Sequence, residues 1–383
     1  MRRIYFDHAA TTPVDPLVVE EMLPYLTERY GNASSIHAMG QEARAAVEEA
    51  RMKVAALVGA EPEEIIFTAG GTESDNLAIK GIAFKAGKGH IVTSTIEHPA
   101  VLNTCKYLET KGFEVTYVPV DRNGLISPAD IAASLRRDTI LITIIHSSNE
   151  IGTIQPIEEI GRIAAEGGVP LHTDAVQSAG KLPLDAKRMG ASFVSITAHK
   201  LHGPKGVGAL FVKKGMKLEP ITHGGGHEHG LRSSTENTPG IVGFGKAAEI
   251  ALQRMDTDIP GIQRLRDRMI DGVLSAIPHS YLNGHRVRRL PNNAHFRFSY
   301  IEGESLLLRL DSLGIEASTG SACSSKSLQP SHVLLAIGLA QEEVHGSLRC
   351  TLGRGNTGDE VDYFLEQLPG VVERLRNISP LRG

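Results

Sequence analysis

Residues 194–212 read VSITAHKLHGPKGVGALFV. An apolar run ends at Lys200, between His199 and His202, and a Gly/Pro turn leads into a second apolar run, ALFV at 209–212. Runs of the same kind lie upstream: IIFT at 65–68, IVTS at 91–94, VTYVPV at 115–120, ILITII at 140–145 and FVSIT at 193–197. They are short, apolar on both faces and separated by polar or helical stretches. One of these stretches, 38–58, carries Ala43, Val47, Ala50, Val54 and Leu57 at helical spacing. Strands of that kind belong in a mostly parallel sheet covered by helices on both faces. Such a sheet binds ligands at the carboxyl ends of its strands.

The pattern changes after about residue 250. Residues 254–277 read as a long amphipathic helix, AHFRFSY at 294–300 as a half-buried strand, 303–314 as a helix closed by Gly314, and 359–376 as a final helix. A second, smaller α+β domain is expected there. HGGGHEHG at 223–230 is the most loop-like stretch in the middle of the chain.

Bulk properties narrow the function. Of the 383 residues, 41% are apolar and 22% charged, with a formal charge of −4, so the charge offers nothing to attract nucleic acid or an anionic membrane. No apolar run approaches the ~18 residues of a membrane span. MRRIYFDHAATTP at the N-terminus is too short and polar for a secretory signal, and a cytoplasmic protein is expected. The three cysteines, Cys105, Cys323 and Cys350, are too few and too widely spaced for a disulfide framework or a thiolate zinc site. His223, His227 and His229 have a spacing that could bring three imidazoles to one metal, but a Gly-rich loop without an added carboxylate or thiolate argues against it, and no metal is assigned.

Polar residues gather where the apolar runs end. AGGTESDN at 69–76 opens a helix through Gly70, Gly71 and Thr72, a place suited to an anion. His98 follows the run at 91–94, Asn149 the run at 140–145, and Asp174 and Gln177 close the run at 171–174. A carboxylate at such a place is costly unless a cation faces it, and a partly buried lysine there favours the amine that attacks aldehydes. Pyridoxal phosphate (PLP) calls for this whole set: a lysine for its aldehyde, an acid for its ring nitrogen, a phosphate cup, a flat group on the ring and a donor to its phenolic oxygen. Lys200, Asp174, Thr72, His98 and Gln177 supply these in turn.

YFDHAATTP, GNASSIH, TAGGTESDN, EHPAV, SSNEIGTIQPI, TDAVQSAGKLPLD, TAHKLHGPKGVGAL, GGGHEHGLRSSTEN, STGSACSS, PSHVLLAIG and SLRCTLGR follow one another in this order. In this the chain resembles the NifS/IscS-type (group I) cysteine desulfurases, class V aminotransferase-fold PLP enzymes, from residue 5 to about 357. The resemblance implies the PLP-dependent transferase fold (fold type I, aspartate-aminotransferase-like). It divides the chain into a large α/β domain over 16–255 and a small α+β domain over 1–15 and 256–383. The implied activity converts L-cysteine to L-alanine, with sulfur carried on an enzyme cysteine as persulfide and delivered to an iron–sulfur scaffold or a sulfur-carrier protein.

The same resemblance assigns roles. Lys200 would bond the cofactor aldehyde. Gly71, Thr72, Thr197 and His199 would bind the phosphate, His98 would stack on the ring, Asp174 would pair with the ring nitrogen, and Gln177 with the phenolic oxygen. Asn149 would serve cofactor and substrate, Arg349 would fork onto the substrate carboxylate, and Asn32 would be a further substrate contact. Thr235 would reach the phosphate of the neighbouring subunit, so a homodimer is implied. Cys323, in the Ser/Gly-rich stretch 318–331, would be the catalytic cysteine, on a loop suited to a nucleophile that travels. His98 would also relay protons, because an imidazole titrates near neutrality. Ser234 and His227 depart from the family pattern (Gly and Gln are usual there), and Cys350 stands where an apolar residue is usual and is read as packing. Selenocysteine lyase, cystine lyase and aminotransferase are the alternatives on the same fold; the cysteine in GSACSS argues for the desulfurase. An idle scaffold would not need Lys200, Asp174, His98, Arg349 and Cys323 together.

Overall fold

The computed structural model describes residues 3–320 and 330–379. The short strand β1 (Ile4–Tyr5) lies apart from the main sheet and pairs in parallel with β11 (Ile315–Glu316). Seven strands form the main sheet: β2 (Ile65–Thr68), β3 (His90–Ser94), β4 (Glu114–Val118), β5 (Thr139–Thr143), β6 (Leu171–Asp174), β7 (Phe193–Thr197) and β8 (Gly208–Val212). Their spatial order is 2-8-7-6-5-3-4. All neighbours are parallel except β8, which runs antiparallel to both β2 and β7.

The apolar runs become strands because both faces of the sheet are covered. Ile65 and Phe67 of β2 pack into one core with Val194, Ile196 and the helix Ala38–Leu57, while Ile66 between them joins Leu77, Val101 and Leu210 in a core on the other face. The two-residue period of a strand does this sorting. A third core gathers Phe6, Ile270, Phe296, Leu306, Leu348 and Phe364 around the antiparallel sheet of β9 (Ser280–Leu282), β10 (Asn293–Phe298) and β12 (Ser347–Thr351).

One helix, Thr238–Ala276, joins these bodies. Residues 241–251 pack in the first core and 262–273 in the third. The sequence pattern predicts a helix only from 254. The missing half is glycine-rich, and the reason is packing: a Cβ on Gly245 would lie 2.7 Å from the Cα of Ala50 in the helix Ala38–Leu57. Low helix propensity there is overridden by close helix contact.

The loop-like stretch 223–230 carries a buried charge. Glu228 takes Arg51 in a two-pronged pair at 2.7 and 2.8 Å and accepts the Phe67 N–H at 2.7 Å; the Glu228 side chain is only 5% exposed. Arg51 also donates to Ile65 O at 2.6 Å. Glu228→Ala leaves a buried guanidinium and a backbone N–H without their acceptor. We expect it to cost about 3–5 kcal/mol of unfolding free energy, measured by urea denaturation; a loss below about 1 kcal/mol would place the pair among weak surface contacts.

Candidate active site

The carboxyl ends of β3, β5, β6 and β7 open on a cavity of about 390 Å³. It is lined by Gly71, Thr72, His98, Asn149, Asp174, Gln177, Thr197, His199, Lys200 and Arg349. Ten of the residues singled out in the sequence thus meet in one place, drawn from segments almost 280 positions apart. Asn32 and Thr235 are exposed and do not line the cavity; the Asn32 side chain accepts the Ser34 N–H instead. Cys323 lies outside the described residues.

Each side chain is fixed by its local backbone. Lys200 follows β7 on a single 3-10 turn, Ala198–Lys200, and its Nζ donates to Ala10 O at 2.6 Å and to Ala9 O. Asp174 ends β6, is buried, and accepts the Val176 N–H at 2.9 Å. Burial pushes its carboxyl up to about 6, against the pull of that N–H and of Lys200. Gln177 donates to Ala9 O at 3.0 Å. His98 caps the helix Pro99–Glu109, its Nδ1 accepting the Ala100 N–H at 3.1 Å, which leaves the ring proton on Nε2. Burial, with Lys200 and His332 nearby, lowers His98 to about 4. The ring is therefore neutral at pH 7, contrary to the expectation of titration near neutrality: that expectation assumes a hydrated imidazole, and this one is buried beside a cation.

Arg349, on β12 of the other body, donates to Asn149 O at 3.0 Å, Gly320 O at 3.3 Å and Asp7 Oδ1 at 2.9 Å; its Nε is buried without a partner. The helix Gly71–Ala86 has Gly70 at its N-cap with no side-chain cap, so its first N–H groups stay available. A Cβ on Gly71 would lie 2.6 Å from Val176 Cγ2, so only glycine lets the helix start so close to the β6 turn.

These features fit PLP. A buried acid answers the ring nitrogen, an uncapped helix start the phosphate, an amine the aldehyde, and Pro99, Ile145 and Val176 supply apolar wall. Sequence reasoning missed several participants. The carbonyls of Ala9 and Ala10 hold the lysine, and Asp7 holds Arg349. Lys181, buried, ties Gln177 O (3.0 Å) to Lys200 O (3.1 Å). All four residues sit within quoted motifs, but nothing in a motif says which group it touches. Asp75 also lines the cavity. His223, His227 and His229 do not come within ligand distance of one another. Cys105 and Cys350 are buried, and burial drives both thiols far above their usual range, so both are packing residues.

Glu97, just before His98, is buried; its Oε1 accepts from Ser94 Oγ at 2.5 Å and from the Ile145 N–H at 3.0 Å. Burial pushes its carboxyl up to about 8, more than these bonds lower it. A folded-state value above the unfolded one means the native state binds the extra proton between them, so stability falls as pH rises through that window. Glu97→Gln removes this term. Between about pH 5 and 8 the urea midpoint of the cofactor-free protein should fall more steeply for wild type than for the variant, by at most ~1.4 kcal/mol per pH unit; parallel curves would show that Glu97 does not hold the proton.

Comparison with known proteins adds the following. The family described as Aminotransferase class-V matches residues 4–364. "Cysteine desulfurase IscS" of Methanosarcina thermophila is 55% identical over 382 residues, 99% of this chain and 94% of that protein. A solved structure named "NIFS-LIKE PROTEIN" is 40% identical, with a TM-score of 0.92 over 98% of this chain and 100% of its own. Another, "SspA in complex with cysteine", is also 40% identical, with a TM-score of 0.82 over 92% of this chain and 100% of its own.

Proposed function

The chain belongs to the class-V aminotransferase family, and from that premise we propose that its strand-end residues divide one sulfur-transfer reaction among them. The protein is a PLP-dependent cysteine desulfurase: L-cysteine and an enzyme thiol give L-alanine and an enzyme persulfide, the source of sulfur for iron–sulfur clusters or other sulfur-containing molecules. The observation that carries the division of roles is the convergence of Lys200, Asp174, His98, Gln177 and Arg349 on one cavity.

When bound, PLP supplies an electron-accepting ring that stabilises negative charge at the substrate α-carbon. Lys200 would hold its aldehyde, Asp174 its ring nitrogen and Gln177 its phenolic oxygen, with His98 against the ring and Asn149 beside it. Gly71, Thr72, Thr197 and His199 would hold the phosphate. Arg349 grips the substrate carboxylate with its planar fork, and Asn149 assists. The Lys200 amine takes the substrate α-proton and returns one to the product. His98, neutral and carrying its proton on Nε2, donates a hydrogen bond rather than a charge.

The persulfide forms on Cys323. Two features support this choice: the other cysteines are buried packing residues, and Cys323 follows Gly320, whose carbonyl takes Arg349, by three positions in the sequence. The reaction closes as thiol plus cysteine to persulfide plus alanine, with no outside oxidant. Thr235, exposed and away from its own cavity, would complete the phosphate cup of a second copy in a homodimer. The sulfur then passes to an iron–sulfur scaffold or a sulfur carrier. Among the described residues no helix is long and apolar enough to cross a membrane, and we assign the enzyme to the cytoplasm, where unpaired thiols persist.

Purified enzyme should be yellow, shift its absorption with L-cysteine, and release alanine and sulfur in equal amounts. Cys323→Ser should keep the absorption and lose persulfide to background; sulfide release at the parent rate would overturn the assignment. Arg349→Lys should raise KM for cysteine by roughly tenfold or more, since a point charge cannot replace the fork.

A further inference from the structure

The reaction uses one buried aspartate, yet the cavity has two. Asp75 lies in the helix Gly71–Ala86, is 1% exposed and lines the same cavity as Asp174. Asp75, His98 and Asp174 each bring one donor atom within 4.8 Å of the others. Two carboxylates so close in a dry site cannot both be ionised without a cation between them.

Among the described residues, the groups that act on Asp75 include no cation. His172, on β6, has its Nε2 3.5 Å from Asp75 Oδ1, but its ring nitrogens serve Thr143 Oγ1 at 2.8 Å and Ser195 Oγ at 2.9 Å, and burial lowers it to about 3, so it is neutral. Ser195 of β7, whose Oγ pairs with His172 Nε2, is a neutral neighbour that lowers the Asp75 carboxyl but does not offset its burial. His98 is neutral for the reason given above. Glu97, a further acid acting on Asp75, supplies no positive charge either and keeps its own proton at pH 7. Lys200 acts on Asp174 and also donates to the carbonyls of Ala9 and Ala10. Asp75 Oδ1 has no hydrogen-bond partner.

We propose that Asp75 is a positioning residue that keeps its proton, so that Asp174 alone presents negative charge to the cofactor ring nitrogen. Burial first, and then Asp174, hold the Asp75 carboxyl well above the ordinary carboxylate range, in agreement with the geometry. A neutral acid at this place in the cavity wall would not compete for the ring proton. Were Asp75 charged as well, the pair would hold two negative charges against one cation, and the ring proton would no longer belong to Asp174 alone. The inference rests on Asp174 being the group that faces the ring nitrogen.

The test is carbon NMR of the full-length holoenzyme labelled with [γ-13C]aspartate, titrated from about pH 6 to 8, where a free aspartate is fully ionised, and repeated after the cofactor is stripped. Glutamate is silent in this label, so Glu97 does not interfere. One aspartate resonance should stay at the position of a protonated acid throughout and vanish in Asp75→Asn. Should that variant fail to fold, Ser195→Ala, which changes a polar neighbour of Asp75, should shift the same resonance and so identify it. The proposal is overturned if every aspartate carbon is in the ionised position at pH 7, or if the acid resonance survives Asp75→Asn and is lost in Asp174→Asn. The underlying assignment fails separately: Asp174→Asn that retains cofactor affinity and absorption would remove Asp174 from the ring nitrogen, whichever residue the NMR identifies as the acid.

Discussion

A carboxylate buried at the end of a parallel strand must meet a cation or keep a proton. Asp174 is in that position, and the rest of the site can be understood as the consequence. Its cost in a dry cavity is high, so the fold brings Lys200 from the next strand and leaves room for a cationic ring nitrogen. Neighbours that could compete are held neutral: His98 and His172 by burial, Asp75 and Glu97 by their protons. At the ends of β6 and β7 the charges thus reduce to one acid and one amine, and Arg349 is the further cation that β12 brings to the cavity.

The amine has its own requirement. An ammonium at a strand tip needs acceptors, and the backbone of the chain's own N-terminal segment supplies two of them at Lys200. Residues 9–12 run across the strand ends, with Ala9 O taking Gln177 and Lys200, Ala10 O taking Lys200, and Thr12 bonded twice to His199 O. The same segment reaches the other body, where Ala9 N donates to Thr351 Oγ1 at 2.8 Å and Asp7 accepts from Arg349. One stretch of backbone therefore sets the lysine, the glutamine and the arginine at once. The cavity exists only where the two sheets are both in place.

The strands were legible in the sequence because they are apolar on both faces, and their edges match the apolar runs to within a few residues. The strand-end residues were legible for the same reason: each polar residue interrupts an apolar run. What stayed hidden depends on contacts between distant segments. The half-helix from Thr238 looks like loop because its glycines serve contact with the helix Ala38–Leu57. HGGGHEHG looks free, yet Glu228 within it is pinned by Arg51, 177 positions away. Asp75 sits in a motif that reads as a polar helix start, and only the sheet brings it beside Asp174. The neutrality of His98 was hidden as well, since sequence reveals the residue type and not its desolvation.

The chemistry of the three cysteines follows the same rule of environment over identity. A thiol attacks sulfur as thiolate, so it must be able to ionise near neutral pH. Cys350 is one residue from Arg349, which lines the cavity, yet strand alternation turns it into the core with Phe296 and Leu348. The pleat that aims Arg349 at the cavity necessarily aims Cys350 away from it. Cys105 is lost to the core of its helix in the same way. Both scaffold cysteines face cores, so the sulfur-carrying role proposed for Cys323 does not fall to them. The described residues that flank 321–329 touch the cavity wall, Gly320 O on Arg349 and Ser331 Oγ on Glu150 Oε2 at 2.5 Å.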